Sequence, residues 1–228
     1  AVGPGHVIQA INGSSGALYR IWTRSNNNVT SDAYLDQLTK YGGLGDPVVL
    51  YDQLADRFIM TEFANKRETG SEGLIIAVSK TGDPLGGWWA YFFSTGRVFP
   101  DYPKFSVWND GYYATSNDFT QTYMGSSVYA FDRAKMLVGQ AATMQTVRFK
   151  VNTYSRYFTM CPVLLQGTTL PPAGTGGLFA YMNDNFVSGS QDSVGLLEFN
   201  VNWGSSSLSK VSFRASLVAS SFSGGATC

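Results

Sequence analysis

Gly45-Asp46-Pro47-Val48-Val49-Leu50-Tyr51-Asp52 opens the pattern that decides the fold. Turn residues lead into a β-branched, apolar run that ends on an aromatic, and an Asp closes it. A short turn through Asp56 follows, then Arg57–Ala64 (RFIMTEFA). A polar loop, Asn65 to Gly73, precedes Leu74–Val78 (LIIAV). A second turn, Lys80 to Gly87, feeds Trp88–Phe93 (WWAYFF). Four strands therefore fall within about 48 residues, and every connection is short enough for an antiparallel meander.

The pattern then restarts. Asp101-Tyr102-Pro103-Lys104-Phe105-Ser106-Val107-Trp108 has the same ingredients: an Asp, a nearby Pro, an apolar strand and a closing aromatic. Aligning Asp46 with Asp101 gives an offset (101 minus 46) of 55 residues. Tyr112–Ser116, Ser127–Phe131 and Val147–Val151 complete this unit. A weaker third unit runs through Val163–Leu165, Gly177–Met182, Val194–Phe199 and Val211–Arg214. His6–Ala10 and Ala17–Thr23 form an incomplete leading unit. One short helix is expected over Arg133–Val138, with Asp132 as N-cap and Gly139 as the left-handed stop.

A single meander has two exposed faces and two open edges, so it is not stable alone. Repeats of about 50 residues, each a four-stranded antiparallel meander, mark a β-propeller, whose blades bury one another's faces. A β-sandwich needs about 100 residues per domain, and no linker divides this chain into two such halves. The expectation is an all-β chain of 228 residues, about four to five blades, forming one propeller domain or the major part of one. Its first and last units remain to be closed, either by Leu217 to Cys228 or by another protein chain completing the ring.

Composition narrows the function. The 16 basic and 16 acidic residues cancel, and charged residues make up only 14% of the chain. No basic stripe exists to neutralise phosphates, which excludes a nucleic-acid binder. No apolar run is long enough for a transmembrane helix, so no membrane span is expected. Low charge, abundant Gly and Ser, and tyrosines in loop-like segments point to an extracellular or cell-surface protein. The segment Ala1 to Gly5 is not a signal peptide, though it fits what remains after removal of one. Asn12 and Asn28 head glycosylation sequons that apply if the source is a secretory eukaryote. The two cysteines, Cys161 and Cys228, either form a disulfide or are one buried and one terminal thiol. Two cysteines and one histidine do not make a four-ligand zinc site.

The stretches GDPVVLYD (45–52), AVSKTGDPLG (77–86), FPDYPK (99–104), VWNDGYY (107–113) and YAFDRAKML (129–137), in this order, resemble a group of secreted microbial β-propeller proteins. These are sialidase-like in general architecture. The resemblance runs from about residue 2 to the end. It implies a secreted propeller and assigns no activity. Members of the group continue beyond the point matching Cys228, which implies a ring larger than this chain supplies. The Ser-x-Asp-x-Gly-x-x-Trp boxes of sialidases are missing, so the resemblance does not carry sialidase chemistry with it.

Two kinds of site are expected. Asp46 and Asp101 precede first strands, and repetition would bring them to one axial mouth, where a pair of carboxylates about 5–9 Å apart serves glycoside hydrolysis. Glu62 and Glu198 are scarce glutamates that would supply a partner. Against this, an Asp beside a Pro is ordinary turn chemistry, its carboxylate accepting from nearby amides. The other expectation is an interaction or structural module with a glycan or protein partner. Tyr112, Tyr123, Tyr154 and Tyr157 are its candidate ligand-binding residues, since aromatic faces stack on sugar rings. For Tyr112-Tyr113 and Trp88-Trp89 core packing is the favoured reading, because one of each pair in an alternating strand faces a blade interface. Asn117-Asp118 and Asn183-Asp184-Asn185 offer hard oxygens that would suit calcium, without a complete ligand loop. His6, the only histidine, has no nucleophile elbow to serve and reads as structural.

Overall fold

The computed structural model describes residues 41–84, 87–150, 157–167, 169–185 and 191–222. The leading unit, with Asn12 and Asn28, lies outside the described residues, as do Tyr154 and Cys228. The described chain is all-β apart from one helical turn and a short 3-10 turn. Twelve strands form three four-stranded antiparallel sheets, each a simple meander in chain order.

The first sheet holds β1 (Tyr41–Asp52), β2 (Arg57–Lys66), β3 (Ser71–Ser79) and β4 (Trp88–Gly96). The second holds β5 (Phe99–Val107), β6 (Tyr112–Phe119), β7 (Tyr123–Phe131) and β8 (Met144–Lys150). The third holds β9 (Cys161–Pro162), β10 (Gly177–Asn183), β11 (Ser193–Asn200) and β12 (Lys210–Val218). Val163–Leu165, expected to be a strand, lies just past β9. Only Val163 still bonds to β10, donating to the Leu178 carbonyl at 2.8 Å, while Leu165 turns to the Val107 carbonyl at 3.1 Å.

The helical turn α1 (Arg133–Met136) forms where expected. Asp132 accepts from the Lys135 N–H at 3.3 Å, and Gly139 takes φ 71° beyond its end.

The repeat offset needs correcting. Both first strands carry a bulge just before an aligned proline, between Gly45 and Val48 and between Asp101 and Lys104. The left-handed residue of each bulge is Asp46 (φ 50°) in one and Tyr102 (φ 50°) in the other. The structural equivalents are thus Pro47 with Pro103, offset 103 minus 47, or 56 residues. Asp101 falls opposite Gly45, not Asp46. Proline is tolerated here because a bulge leaves its missing N–H outside the ladder.

Side-chain alternation stacks the sheets. On β6, Tyr112 and Ala114 join a core with Ile59, Leu74, Ile76, Tyr91 and Phe93 of the first sheet. Tyr113, one residue on, faces the other way and packs with Phe179, Leu197 and Phe199 of the third. On β7, Tyr129 and Phe131 face the first sheet, Val128 and Ala130 the third. The two cores share no residue. Ring pairs fasten both: Phe93 with Phe131 at 4.9 Å, Tyr113 edge-on to Phe179 at 5.9 Å. Burial of each such side chain contributes about 1.5–3 kcal/mol. The first strands of successive sheets lie against one another, β1 beside β5 and β5 beside β9.

The outer faces differ. Met60, Ala64, Ile75, Ala77, Ala90 and Phe92, on the far face of the first sheet, are buried. On the far face of the third, cross-strand partners Met182, Val194 and Leu217 are 56%, 39% and 66% exposed.

Candidate ligand cleft

The three sheets share two ends. One gathers the first-strand bulges, the β2–β3 and β6–β7 turns and the β4–β5 connection. The other gathers the β1–β2 and β5–β6 turns and α1.

At the bulge end an open cleft of about 450 Å³ lies between the first and second sheets. Its lining comprises Glu72, Arg97, Phe99, Phe119, Thr120 and Gln121. Register explains the grouping. Phe99 and Phe119 are cross-strand partners where β5 begins and β6 ends. Glu72 pairs with Gly96 across β3 and β4. Gly96, at φ 77°, bends the chain so that Arg97 follows at the rim.

Ring contacts continue on both sides, into the core at Phe63 and along the surface to Phe158. Phe63 meets Phe99 edge-on at 4.8 Å, Phe119 meets Tyr123 at 5.4 Å, and Tyr123 meets Phe158 at 5.4 Å. Phe158 is 48% exposed. Burial raises the Glu72 carboxyl above its ordinary range. Its Oε2 is shielded from solvent and meets no donor. Among the described residues, neither Glu72 nor Arg97 has an ion-pair or hydrogen-bond partner for its side chain.

Three of the four expected carboxylates, Asp101, Glu62 and Glu198, serve the backbone. Asp101 accepts from the N–H of Tyr102 at 2.8 Å, capping its own bulge. Asp46 is exposed on the other bulge. Glu62 is buried and accepts from the Gly45 N–H at 3.1 Å. Glu198 does likewise for Gly176 at 2.8 Å and pairs with Arg214 at 3.1 Å. A carboxylate capped by its own turn is held away from the task of a glycosidic acid or nucleophile.

The tyrosines divide. Tyr112 is 1% exposed, because alternation on β6 turns it into the core between the first two sheets. Tyr157 is buried between Phe149 (4.6 Å) and Tyr181 (4.8 Å). Neither presents a face to a ligand, contrary to expectation. Tyr123 is half-buried beside the cleft, its hydroxyl 2.8 Å from that of Ser126. Phe99, Phe119 and Phe158 went unnoticed in the sequence, since only register brings them together.

The opposite end carries a buried charge cluster that the sequence does not announce. Asp52, fully buried, accepts from Arg133 Nε at 2.6 Å and Nη2 at 3.0 Å. The Tyr112 hydroxyl donates to it at 2.9 Å, and the N–H groups of Leu54 and Ala55 at 3.1 and 3.2 Å. Burial alone would lower the Arg133 pKa. The Asp52 carboxylate outweighs it and holds the guanidinium above its ordinary value. This cluster ties a turn of the first sheet to α1 of the second.

Asn117-Asp118 is not a cation site. Asp118 is fully buried on β6 and accepts from Ser116, Ser127 and Arg148. Asn117 accepts from the Thr159 N–H at 3.0 Å. Among the described residues, no three His, Cys, Asp or Glu side chains are grouped to hold a metal ion. Cys161 is exposed with a free thiol. No helix among the described residues is long and apolar enough to cross a membrane.

No protein-family model, no curated protein and no solved structure matches the chain.

Proposed function

We propose that the chain is an interaction module of the extracellular space or cell surface, with its sheets as blades of a β-propeller and its bulge end as a glycan-binding surface. The propeller reading is supported by three successive meanders stacked face to face with their first strands adjacent. A ring of about four to five blades needs more than three sheets. The row Met182, Val194 and Leu217 is where the next blade would stack, from this chain or from another one completing the ring.

The observation that carries the binding reading is the cleft itself. The side chains of Phe99 and Phe119 line it together with a carboxyl, a guanidinium, a hydroxyl and an amide. Apolar area flanked by hydrogen-bonding groups is what a sugar ring requires, with its apolar C–H face and its polar rim. About 450 Å³ accommodates one or two such rings. Hydrolysis is the weaker reading, because Asp101 is committed to its own turn.

A glycan array followed by calorimetry tests the proposal. Binding of an oligosaccharide that weakens tenfold or more on Phe119→Ala, with melting unchanged, supports it. An array without hits overturns it, and so does binding that is indifferent to Phe119→Ala.

A further inference from the structure

The cleft holds two opposite charges that ignore each other. Glu72 and Arg97 line the same space, separated in sequence by the width of one strand pair, yet they form no ion pair. Arg97 is exposed on a turn, and among the described residues none accepts a hydrogen bond from its guanidinium. The Oε2 atom of Glu72 is shielded from solvent and has no donor, a position that an incoming hydroxyl would satisfy. The terminal torsion of Glu is soft and roughly two-fold, so either oxygen can be turned to the cleft. The Phe99 and Phe119 side chains line the same cleft, together with Thr120 and Gln121.

The vacant valences specify a ligand. Arg97 lacks an anion with paired oxygens, which a planar guanidinium binds in a fork. Glu72 lacks hydroxyl donors. The Phe99 and Phe119 rings call for an apolar ligand face. A neutral sugar satisfies the last two only, and a free inorganic anion the first only. We infer that this cleft selects acidic sugars, binding a uronate carboxylate or a sugar sulfate at Arg97, ring hydroxyls at Glu72 and the C–H face on Phe99 and Phe119. The inference rests on the glycan reading above and adds the class of glycan.

The experiment compares an oligogalacturonate with its methyl ester, which keeps every hydroxyl and ring face and removes only the charge. Titration calorimetry on the full 228-residue chain reads both at low and moderate salt. The acid is expected to bind at least tenfold tighter than the ester, the ratio falling as salt rises. Arg97→Gln is expected to abolish the ratio, bringing the affinity for the acid down to that for the ester. Glu72→Gln, which leaves one acceptor and introduces a donor, is expected to weaken both ligands severalfold. Because Arg97 and Glu72 are surface residues of a turn and a strand end, circular dichroism melts of both variants should overlay the parent. Equal affinity for acid and ester, or a ratio that survives Arg97→Gln, overturns this inference. If both bind equally and Phe119→Ala weakens both, the glycan reading stands without it. If neither binds, this inference falls, and the glycan array decides the glycan reading separately.

Discussion

Replacing Arg133 by Met removes the cation from the buried cluster at Asp52 while keeping most of the side-chain stem. Breaking a buried ion pair from one side costs about 3–5 kcal/mol, because the remaining charge stays buried. Here Asp52 keeps the Tyr112 hydroxyl and two backbone N–H groups, and the Arg133 side chain is 12% exposed. The lower end, about 3 kcal/mol, is therefore expected. For a chain of this size each kcal/mol shifts the melting temperature by about 2–4 °C, so the variant should melt about 6–12 °C lower. Asp52→Asn and the double variant complete a thermodynamic cycle in urea. A coupling of about 1.5 kcal/mol or more is expected, since the two groups share a bidentate contact. A cost for Arg133→Met under about 1 kcal/mol, or additivity within about 0.5 kcal/mol, would refute the view that this cluster locks the first sheet to the second.

Three further outcomes follow from other residues. Gly125 has φ 129°, and a Cβ there would stand 2.0 Å from the Phe149 carbonyl oxygen. Gly125→Ala should cost about 3 kcal/mol, against about 1 kcal/mol for Gly167→Ala, where φ is 78° but the space is open; urea midpoints compare them. Burial, aided by the charge of Asp132, pushes Tyr91 up to about 12, and burial raises Tyr112, Tyr113 and Tyr129 as well. These phenols stay neutral in the folded chain while the unfolded chain ionises near pH 10. Stability should hold below pH 10 and fall as pH rises towards 12, with phenolate absorbance appearing together with loss of the β-sheet dichroism. Cys161 should react fully with maleimide in the native, unreduced protein; a blocked thiol released only by reductant would place it in a disulfide.

The strands were legible because period-two alternation and Gly/Pro/Asp punctuation leave a mark on sequence. Leu74–Val78 extends at its ends to Ser71–Ser79, and Asp132 caps its helical turn as expected, while the turn ends at Met136, two residues short of Val138. What escaped were strand ends made of polar residues. Asn117-Asp118 looks like a loop with cation ligands, yet both are buried on β6, because Arg148, Ser116, Ser127 and the Thr159 amide satisfy them. Partners so distant in sequence leave no local signal. Tyr112 and Tyr113 show a second limit. Both are strand aromatics, and the sequence does not say that β6 is covered on both faces. The cleft depends on which residues register places side by side, such as Phe99 with Phe119, and Glu72 with the glycine before Arg97.

The middle sheet joins two cores that have no residue in common, and this sets an order of local opening. Among the described residues, the third sheet packs through one face only. Its first ladder is two residues long, and β12 has no buried residue. The first two sheets are covered on both faces and fastened by the Asp52–Arg133 contact. Fluctuations that release β12 and β11 need not disturb the core around Phe93 and Phe131. Amide protons should therefore exchange first on β12, later on β10, and last on β3 and β7. The chain opens from one side, as a stack loses its outermost layer, and a bound partner on that layer would register as slowed exchange there.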